Sequence, residues 1–190
     1  MLKNEKNFSI ILSSPSGAGK TTLAKKIRDN FQDFEISVSH TTRKSRKGEK
    51  EGIDYFFITK KDFLKKVELN EFYEYANIFG NFYGSSKKTV ESIQSKNKLI
   101  LFDIDWQGAR QLSQNSELNL LKIFILPPNK KELLKRLKLR QKDKEKSIHE
   151  RISFYEKDIT HWKEYDYVII NNDLESCYLQ LKDLINSYIR

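Results

Sequence analysis

Residues 13–22, which read SSPSGAGKTT, place two glycines, a lysine and two threonines at spacings that suit phosphate binding. Main-chain N–H groups and a helix N-terminus converge on an anion where such a segment joins a strand to a helix. Gly17 and Gly19 carry no Cβ, so the backbone can approach phosphate oxygens closely. Lys20 then reaches the β- and γ-phosphates, and Thr21 is placed to ligate Mg²⁺. The segment predicts a phosphate-binding loop.

The match to the loop pattern G-x4-G-K-S/T is incomplete, because Ser14 stands where the first glycine is usual. The serine indicates either a backbone that an L-residue adopts there or a weakened loop. An ordinary serine and glycine turn beside an unrelated lysine is the alternative to phosphate binding. The flanks favour the loop, since an apolar run at 8–12 precedes it and Leu23, Ile27 and Phe31 follow at helical four-residue steps.

A second group that suits an anion lies in the segment SHTTRKSRKGE. Arg43 and Arg46 are three residues apart, and two guanidinium forks in one loop can grip a phosphate dianion from two sides. The phenols of Tyr55 and Tyr83 are candidates for contacts to the same oxygens. A solvated basic loop is the alternative, and the nearby phosphate-binding loop favours the anion site.

A third group is the strongly basic stretch at 130–146, which holds nine basic and three acidic residues. On a helix Arg136 and Arg140 are four residues apart and share a face. Leucines at 133, 134 and 137 supply a packing surface. A solvated helix, or one that binds nucleic acid, is the competing interpretation for the neighbouring lysines.

The apolar pattern predicts the scaffold that positions these loops. Continuous apolar runs at 99–102, 123–126 and 167–170 are typical of buried parallel strands, and Pro127-Pro128 ends the second. Helix-like segments separate the runs, so we predict an α/β fold with a parallel sheet. The local predictions outside the sheet are a strand spanning Ile36 and Val38, a strand at 55–58, a helix at 61–68, two short strands joined at Gly80-Asn81, a helix at 87–95 and a helix at 129–140.

Composition bounds the class of protein. The 190 residues suffice for one domain with a full core, and 35 Lys and Arg against 26 Asp and Glu give a net charge of +9. This balance favours polyanionic ligands such as nucleotides. The single cysteine, Cys177, excludes an internal disulfide framework. No apolar run reaches the length of a membrane span, so a soluble cytoplasmic protein is expected.

Longer motifs carry a family resemblance: SVSHTTR-x2-R-x-GE-x2-G-x-DYFF, FYEYANIFGNFYGS, ILFDIDWQGA and FILPP. Over residues 10–183 the chain resembles guanylate kinase. The resemblance implies reversible phosphoryl transfer from ATP to GMP on a P-loop NTPase-type parallel sheet flanked by helices. It also implies one domain at 1–190, with these parts: a core at 1–36, 89–128 and 151–190, an inserted β-rich GMP-binding lobe at about 37–88, and a helical lid at about 129–150.

The resemblance implies three sets of site residues and a metal ligand. The catalytic set is Lys20, Arg136, Arg140 and Arg151. The ATP-binding set is Ser14, Pro15, Ser16, Gly17, Ala18, Gly19, Lys20, Thr21 and Thr22. The GMP-binding set is Ser39, Arg43, Arg46, Tyr55, Glu74, Tyr83, Ser85 and Asp103. Thr21 is the expected Mg²⁺ ligand, while Asp103 and Asp105 have three open roles: orienting arginines, contacting GMP, or holding Mg²⁺ through water.

Glu74 corresponds to the guanine-reading glutamate of the family. Its two oxygens can accept the ring N–H and the exocyclic amino group of guanine, and Ser85 can donate to the guanine carbonyl. Adenine presents neither pattern and leaves buried groups unpaired, at a cost of about 1–3 kcal/mol each. The resemblance therefore implies a preference for GMP and dGMP over AMP.

The chain departs from the family pattern at two places: Gln141 replaces a usual glycine in the lid, and Ser45 replaces a usual proline. The substrates implied are ATP and GMP or dGMP, with Mg²⁺, and neither a specific nucleic acid nor a membrane is expected as partner. The alternative function is a catalytically silent guanylate-kinase-like module that binds phosphorylated partners. Such modules typically lose the phosphate loop or the lid arginines, which this chain keeps.

Overall fold

A computed structural model of the chain describes residues 8–115, 118–139 and 145–189, and for 145–150 the backbone alone. In chain order the described residues form β1 (Phe8–Ser13), α1 (Lys20–Asn30), β2 (Phe34–Ile36), β3 (His40–Thr41), β4 (Phe56–Phe57), α2 (Lys60–Glu68), β5 (Phe72–Ile78), β6 (Asn81–Ser86), α3 (Lys87–Ser95), β7 (Leu99–Asp103), α4 (Trp106–Leu112), β8 (Asn119–Leu126), α5 (Lys130–Leu139), α6 (Glu145–Thr160), a 3₁₀ helix (His161–Glu164), β9 (Tyr167–Ile170) and α7 (Leu174–Ile189).

The central sheet is parallel, in the strand order β2-β7-β1-β8-β9, as the apolar runs predict. Every residue of β1 is buried, because its two faces pack against different layers. Helices α1 and α7 cover one face, and α3 and α4 cover the other. Since all five strands run the same way, their carboxyl ends meet at one edge of the sheet, where ligands bind in open α/β folds.

A smaller sheet, in the order β4-β3-β6-β5, stands beside this edge. Its strands β5 and β6 form an antiparallel hairpin. Phe63 of α2 stacks on Phe72 and Phe82, with ring centroids 4.6 and 5.4 Å away. This aromatic cluster gives the predicted β-rich segment at about 37–88 a small hydrophobic core of its own.

Two local predictions are wrong by small shifts. The hairpin turn lies at Phe79-Gly80 rather than Gly80-Asn81, with φ values of 51° and 76°. Two successive residues with positive φ match the twist of a hairpin, and Asn81 already pairs with Ile78. Val38 lies outside β2: the Ser37 N–H still donates to Leu101 O at 3.0 Å, and the chain then crosses to the smaller sheet.

Beside the two sheets, helices α5 and α6 form a packed pair, which we call the helical unit. Helices α5 and α6 pack through Leu133, Leu137 and Tyr155. The Asn129 side chain accepts from the Glu132 N–H at 2.9 Å at the start of α5. Arg140 and Gln141 lie outside the described residues. Within the described ranges, no helix combines the length and apolar character that a bilayer crossing requires.

Candidate active site

A cleft of about 480 Å³ opens between the carboxyl edge of the central sheet and the smaller sheet. Its walls combine residues of the loop at 13–22 with residues of the segment SHTTRKSRKGE. The predicted residues that line it are Ser14, Pro15, Ser16, Gly17, Gly19, Lys20, Thr21, Ser39, Arg43, Arg46, Tyr55, Glu74, Tyr83, Asp103 and Arg151. Four other predicted residues in the described ranges, Ala18, Thr22, Ser85 and Arg136, do not line it.

The first wall is the loop between β1 and α1. Gly17 and Gly19 have φ values of 97° and 103°, which glycine alone adopts readily. Gly19 is the N-cap of α1 and brings no side-chain oxygen to the first N–H groups of the helix. These donors and the helix dipole suit an anion. Ser14 is not among the described residues with positive φ, so its backbone is one that an L-residue adopts.

Lys20 points from the start of α1 to the end of β7. Its Nζ lies 2.6 Å from Asp103 Oδ1 and donates to Ile104 O at 2.8 Å. These contacts hold the ammonium at the floor of the cleft, between the loop and the opposite wall. The pairing gives Asp103 a role that sequence reasoning did not consider: it orients a lysine.

On the opposite wall Arg43 is held by Glu49. The two guanidinium nitrogens donate to the two carboxylate oxygens at 2.9 and 3.0 Å, and Glu49 Oε2 also accepts from the Arg46 N–H at 2.7 Å. Burial opposes the charge of Glu49, but these hydrogen bonds outweigh it and lower the pKa of the carboxyl. Sequence reasoning missed Glu49, although it stands in the same loop six residues after Arg43.

Two phenols lie beside these arginines. The Arg43 guanidinium lies 5.2 Å from the ring centroid of Tyr55, and the rings of Tyr55 and Tyr83 meet edge to face at 5.9 Å. Burial raises the pKa of the Tyr55 phenol well above its usual value. The phenol therefore stays protonated and remains a hydrogen-bond donor for an anion in the cleft.

Glu74 of β5 is a buried carboxylate on the cleft wall, 3% exposed. Its Oε1 accepts from the Ser85 N–H at 2.8 Å. Burial raises the pKa of Glu74 to about 7. Its other oxygen lies against Gly108 of α4, where a Cβ would come within 2.3 Å of Oε2. Only a glycine leaves room for the carboxylate here, a requirement that the sequence alone did not reveal.

Ser85 lies behind this carboxylate rather than on the wall. The residue is fully buried in β6, and its contact to Glu74 runs through the main-chain N–H. Glu74 and Ser85 are direct partners across β5 and β6, which brings the Ser85 main chain next to the Glu74 side chain.

Arg151 and Arg136, the described arginines of α6 and α5, lie in different places relative to the cleft. Arg151 of α6 donates to Ser16 Oγ at 2.9 Å and so reaches the phosphate-binding loop. Arg136 of α5 donates to Asn172 O at 3.1 Å and pairs with Glu132 at 3.2 Å, away from the cleft. Helix α5 turns its leucine face to the loop, where Leu137 would meet a Cβ on Gly17, and this directs Arg136 elsewhere.

The hairpin tip reaches across the cleft. Phe79 meets Phe154 of α6 edge to face, with ring centroids 5.1 Å apart. Both side chains line the cleft. The hairpin tip and α6 thus touch directly at the cleft.

Comparisons with known proteins agree with this geometry. The guanylate kinase family model matches residues 6–188. A guanylate kinase of Rickettsia bellii is 45% identical over 185 residues, which cover 97% of this chain and 96% of that protein. One from a Ruegeria species is 47% identical over 180 residues, covering 94% and 82%.

A solved structure agrees as well. The crystal structure of guanylate kinase from Anaplasma phagocytophilum matches with a TM-score of 0.80 and 36% identity, covering 98% of this chain and 88% of that one. The fold that the motifs imply is confirmed by this match. The chain therefore belongs to the guanylate kinase family of ATP:GMP phosphotransferases.

Proposed function

We propose that this guanylate kinase transfers the γ-phosphoryl group of ATP to GMP, or to dGMP, within the cleft and with Mg²⁺. One observation carries the proposal: Lys20, Arg43 and Arg46 line the same cleft from opposite walls. Two phosphate groups held by these cations would face each other. The reaction then needs no covalent intermediate on the protein, since phosphoryl transfer depends mainly on positioning and on electrostatic stabilisation.

On the ATP side the loop residues 14–22 would hold the triphosphate through main-chain N–H groups and Lys20. Thr21 stands at the first turn of α1 on the cleft wall, and its hydroxyl would be a ligand for Mg²⁺. Asp103 lines the same cleft and would hold the ion through water. The ion, when bound, neutralises charge on the β- and γ-phosphates.

On the GMP side Arg43 and Arg46 would grip the phosphate, with Ser39, Tyr55 and Tyr83 as further donors. Glu49 supports this role, because its two hydrogen bonds fix the Arg43 fork. Glu74 would read guanine, held in place by the Ser85 N–H. These contacts address the base and the phosphate, so dGMP shares them.

The transferred group would meet Lys20 and Arg151. The Arg151 contact with Ser16 supports this role, because it brings a guanidinium to the loop that holds the γ-phosphate. Such cations stabilise charge that builds on the equatorial oxygens, and one of them is worth about 10³-fold in related transfers. Arg136 and Arg140 are proposed to join when the lid closes over ATP.

The proposed units are the core, a GMP-binding lobe at about 37–88 and a lid at about 129–150. Closure of the lobe and lid would exclude water and bring the phosphates into line. The contact between Phe79 and Phe154 supports such closure, because it links the lobe tip to the helix that carries Arg151. Since ATP and GMP are cytoplasmic metabolites, the same proposal places the enzyme in the cytoplasm.

A silent module that binds phosphorylated partners is the alternative. The presence of Gly19, Lys20 and Arg151 on the cleft wall argues against it, because such modules typically lose the phosphate loop or the lid arginines. A coupled assay distinguishes the two. We expect ATP-dependent formation of GDP from GMP, with AMP a poor substrate. If the folded protein turned over no nucleoside monophosphate, the proposed kinase activity would be refuted.

The same assay has an expected pH dependence. Above pH 7 Glu74 is ionised, and both oxygens can accept from guanine. Below pH 7 the Glu74 carboxyl is protonated, and its O–H group faces an N–H group of guanine that also needs an acceptor. We expect kcat/KM for GMP to fall as the pH drops through about 7.

Glu74→Gln is the matched control for this profile. The GMP phosphate itself titrates at about pH 6, so kcat/KM of the variant should change only around that lower pH. A wild-type profile that is flat from about pH 6.5 to 8 would contradict the assignment of Glu74.

A further inference from the structure

We propose that Gln111 of α4 is a positioning residue for guanine recognition: its carboxamide pairs with the free edge of β5 and so holds Glu74 in place. The proposal rests on the proposed role of Glu74. Strand β5 is the edge strand of the smaller sheet, with β6 on its other side. Its outer N–H and C=O groups therefore face away from the ladder and need other partners.

Gln111 supplies both partners to one residue. The Tyr75 N–H donates to Gln111 Oε1 at 3.1 Å, and Gln111 Nε2 donates to Tyr75 O at 2.7 Å. The carboxamide thus stands in for one peptide group of an absent neighbouring strand. At a pH where carboxyl groups are ionised, only a side-chain amide offers a donor and an acceptor in this planar arrangement.

The pairing between Gln111 and Tyr75 lies next to Glu74 both along β5 and on the face of α4 that packs against Glu74. Tyr75 follows Glu74 directly in β5. On α4, Gln111 is three residues after Gly108, so both occupy one face of the helix. Gly108 leaves the hollow that Glu74 Oε2 fills, and Gln111 fixes how far β5 stands from that hollow.

The helix itself is anchored at the sheet edge. Asp105 Oδ1 accepts from the Gln107 and Gly108 N–H groups at 3.0 and 3.1 Å, two residues after the end of β7. Gln111 Nε2 also lies 3.3 Å from Gln107 O, which restrains its rotamer. The lobe strand that carries Glu74 is thereby tied to the same sheet edge that carries Asp103 and Lys20. This tie holds the carboxylate of Glu74 in place relative to the sheet edge.

The test compares Gln111→Glu and Gln111→Ala with the wild type. The glutamate keeps the acceptor for the Tyr75 N–H but sets an oxygen against Tyr75 O, and the alanine removes both bonds. Either change frees the edge of β5, so that Glu74 binds the guanine edge less tightly while the contacts proposed for the phosphates are kept. We expect KM for GMP to rise about tenfold, while kcat and KM for ATP stay within about twofold.

Specificity gives a second readout. Inosine monophosphate lacks the amino group that Glu74 is proposed to read, so the preference for GMP over it should shrink in both variants. The matched control is Gln114→Ala, an exposed glutamine just beyond the same helix, and it should match the wild type. Equal losses in kcat and in both KM values, together with a lower Tm, would show general packing instead and overturn the proposal.

Amide exchange gives a readout that does not depend on activity. The Tyr75 amide should exchange faster in Gln111→Ala than in the wild type or in Gln114→Ala, and unchanged exchange would also overturn the proposal. The two levels of failure are distinct. If Glu74→Gln leaves KM for GMP unchanged, the assigned role of Glu74 fails; if only the Gln111 variants behave like the control, the positioning role fails.

Discussion

Replacing Lys20 with methionine should lower kcat for GDP formation by at least about 10³-fold. Methionine keeps an unbranched stem of similar length and removes the charge that lies at the cleft floor. It also removes the hydrogen bond to Ile104 O and the ion pair with Asp103. The loss should appear in steady-state turnover with both substrates saturating, because the ammonium contributes most as charge moves onto the transferred group.

Two controls separate this effect from damage to the fold. Lys26 lies on the same helix, and its ion pair with Glu175 is on the surface, so Lys26→Met should retain wild-type turnover. Calorimetry should show that Lys20→Met still binds GMP. Turnover within tenfold of the wild type in a folded Lys20→Met protein would contradict the assignment of the loop.

Replacing Glu74 with glutamine should lower kcat/KM for GMP by about 10²–10⁴-fold. Glutamine keeps one carbonyl oxygen, so one hydrogen bond to guanine is lost and the other passes from a charged to a neutral acceptor, where a hydrogen bond to a charged group is worth about 1.5–3 kcal/mol. The new amide group also turns a donor toward a guanine donor. Because Glu74 is 3% exposed, water does not replace the lost partners easily. Binding of ATP should not change, since the triphosphate is proposed to lie on the loop residues 14–22 and not beside Glu74.

Glu71→Gln is the matched control. Glu71 precedes β5 on the same lobe and pairs with Lys66 at 2.7 Å, away from the cleft. It should leave the kinetics with GMP unchanged. The account of base selection is wrong if Glu74→Gln keeps the wild-type kcat/KM for GMP, or if it weakens ATP as much as GMP.

The sequence predicted the scaffold well where a single local signal determines the element. The run at 99–102 became β7, whose central residues are buried between two layers, and such strands must be apolar throughout. The run at 167–170 also became a strand, but the prediction that it is buried is wrong: β9 is the edge strand of the central sheet, and three of its four residues are exposed. Helix α3 spans the predicted residues 87–95, and the Ser86 side chain caps its start by accepting from the Thr89 N–H.

Features that depend on packing between elements were not predictable in the same way. The role of Gly108 appears only when α4 lies against Glu74, and Gln111 acquires its partner only because β5 is an edge strand. Arg136 shares its helix with the leucines that pack on the loop, so its direction depends on the docking of α5. One-dimensional spacing gives the face of a helix but not what that face meets.

The most direct test of the account is the structure of this enzyme with GMP, Mg²⁺ and a non-hydrolysable ATP analogue bound together. We expect the GMP phosphate to lie on Arg43 and Arg46, its guanine edge on Glu74, and the terminal phosphate of the analogue on Lys20, with the two phosphates in line. Ligands in separate cavities, or a guanine bound away from Glu74, would contradict the claim that two opposed anion sites share one cleft.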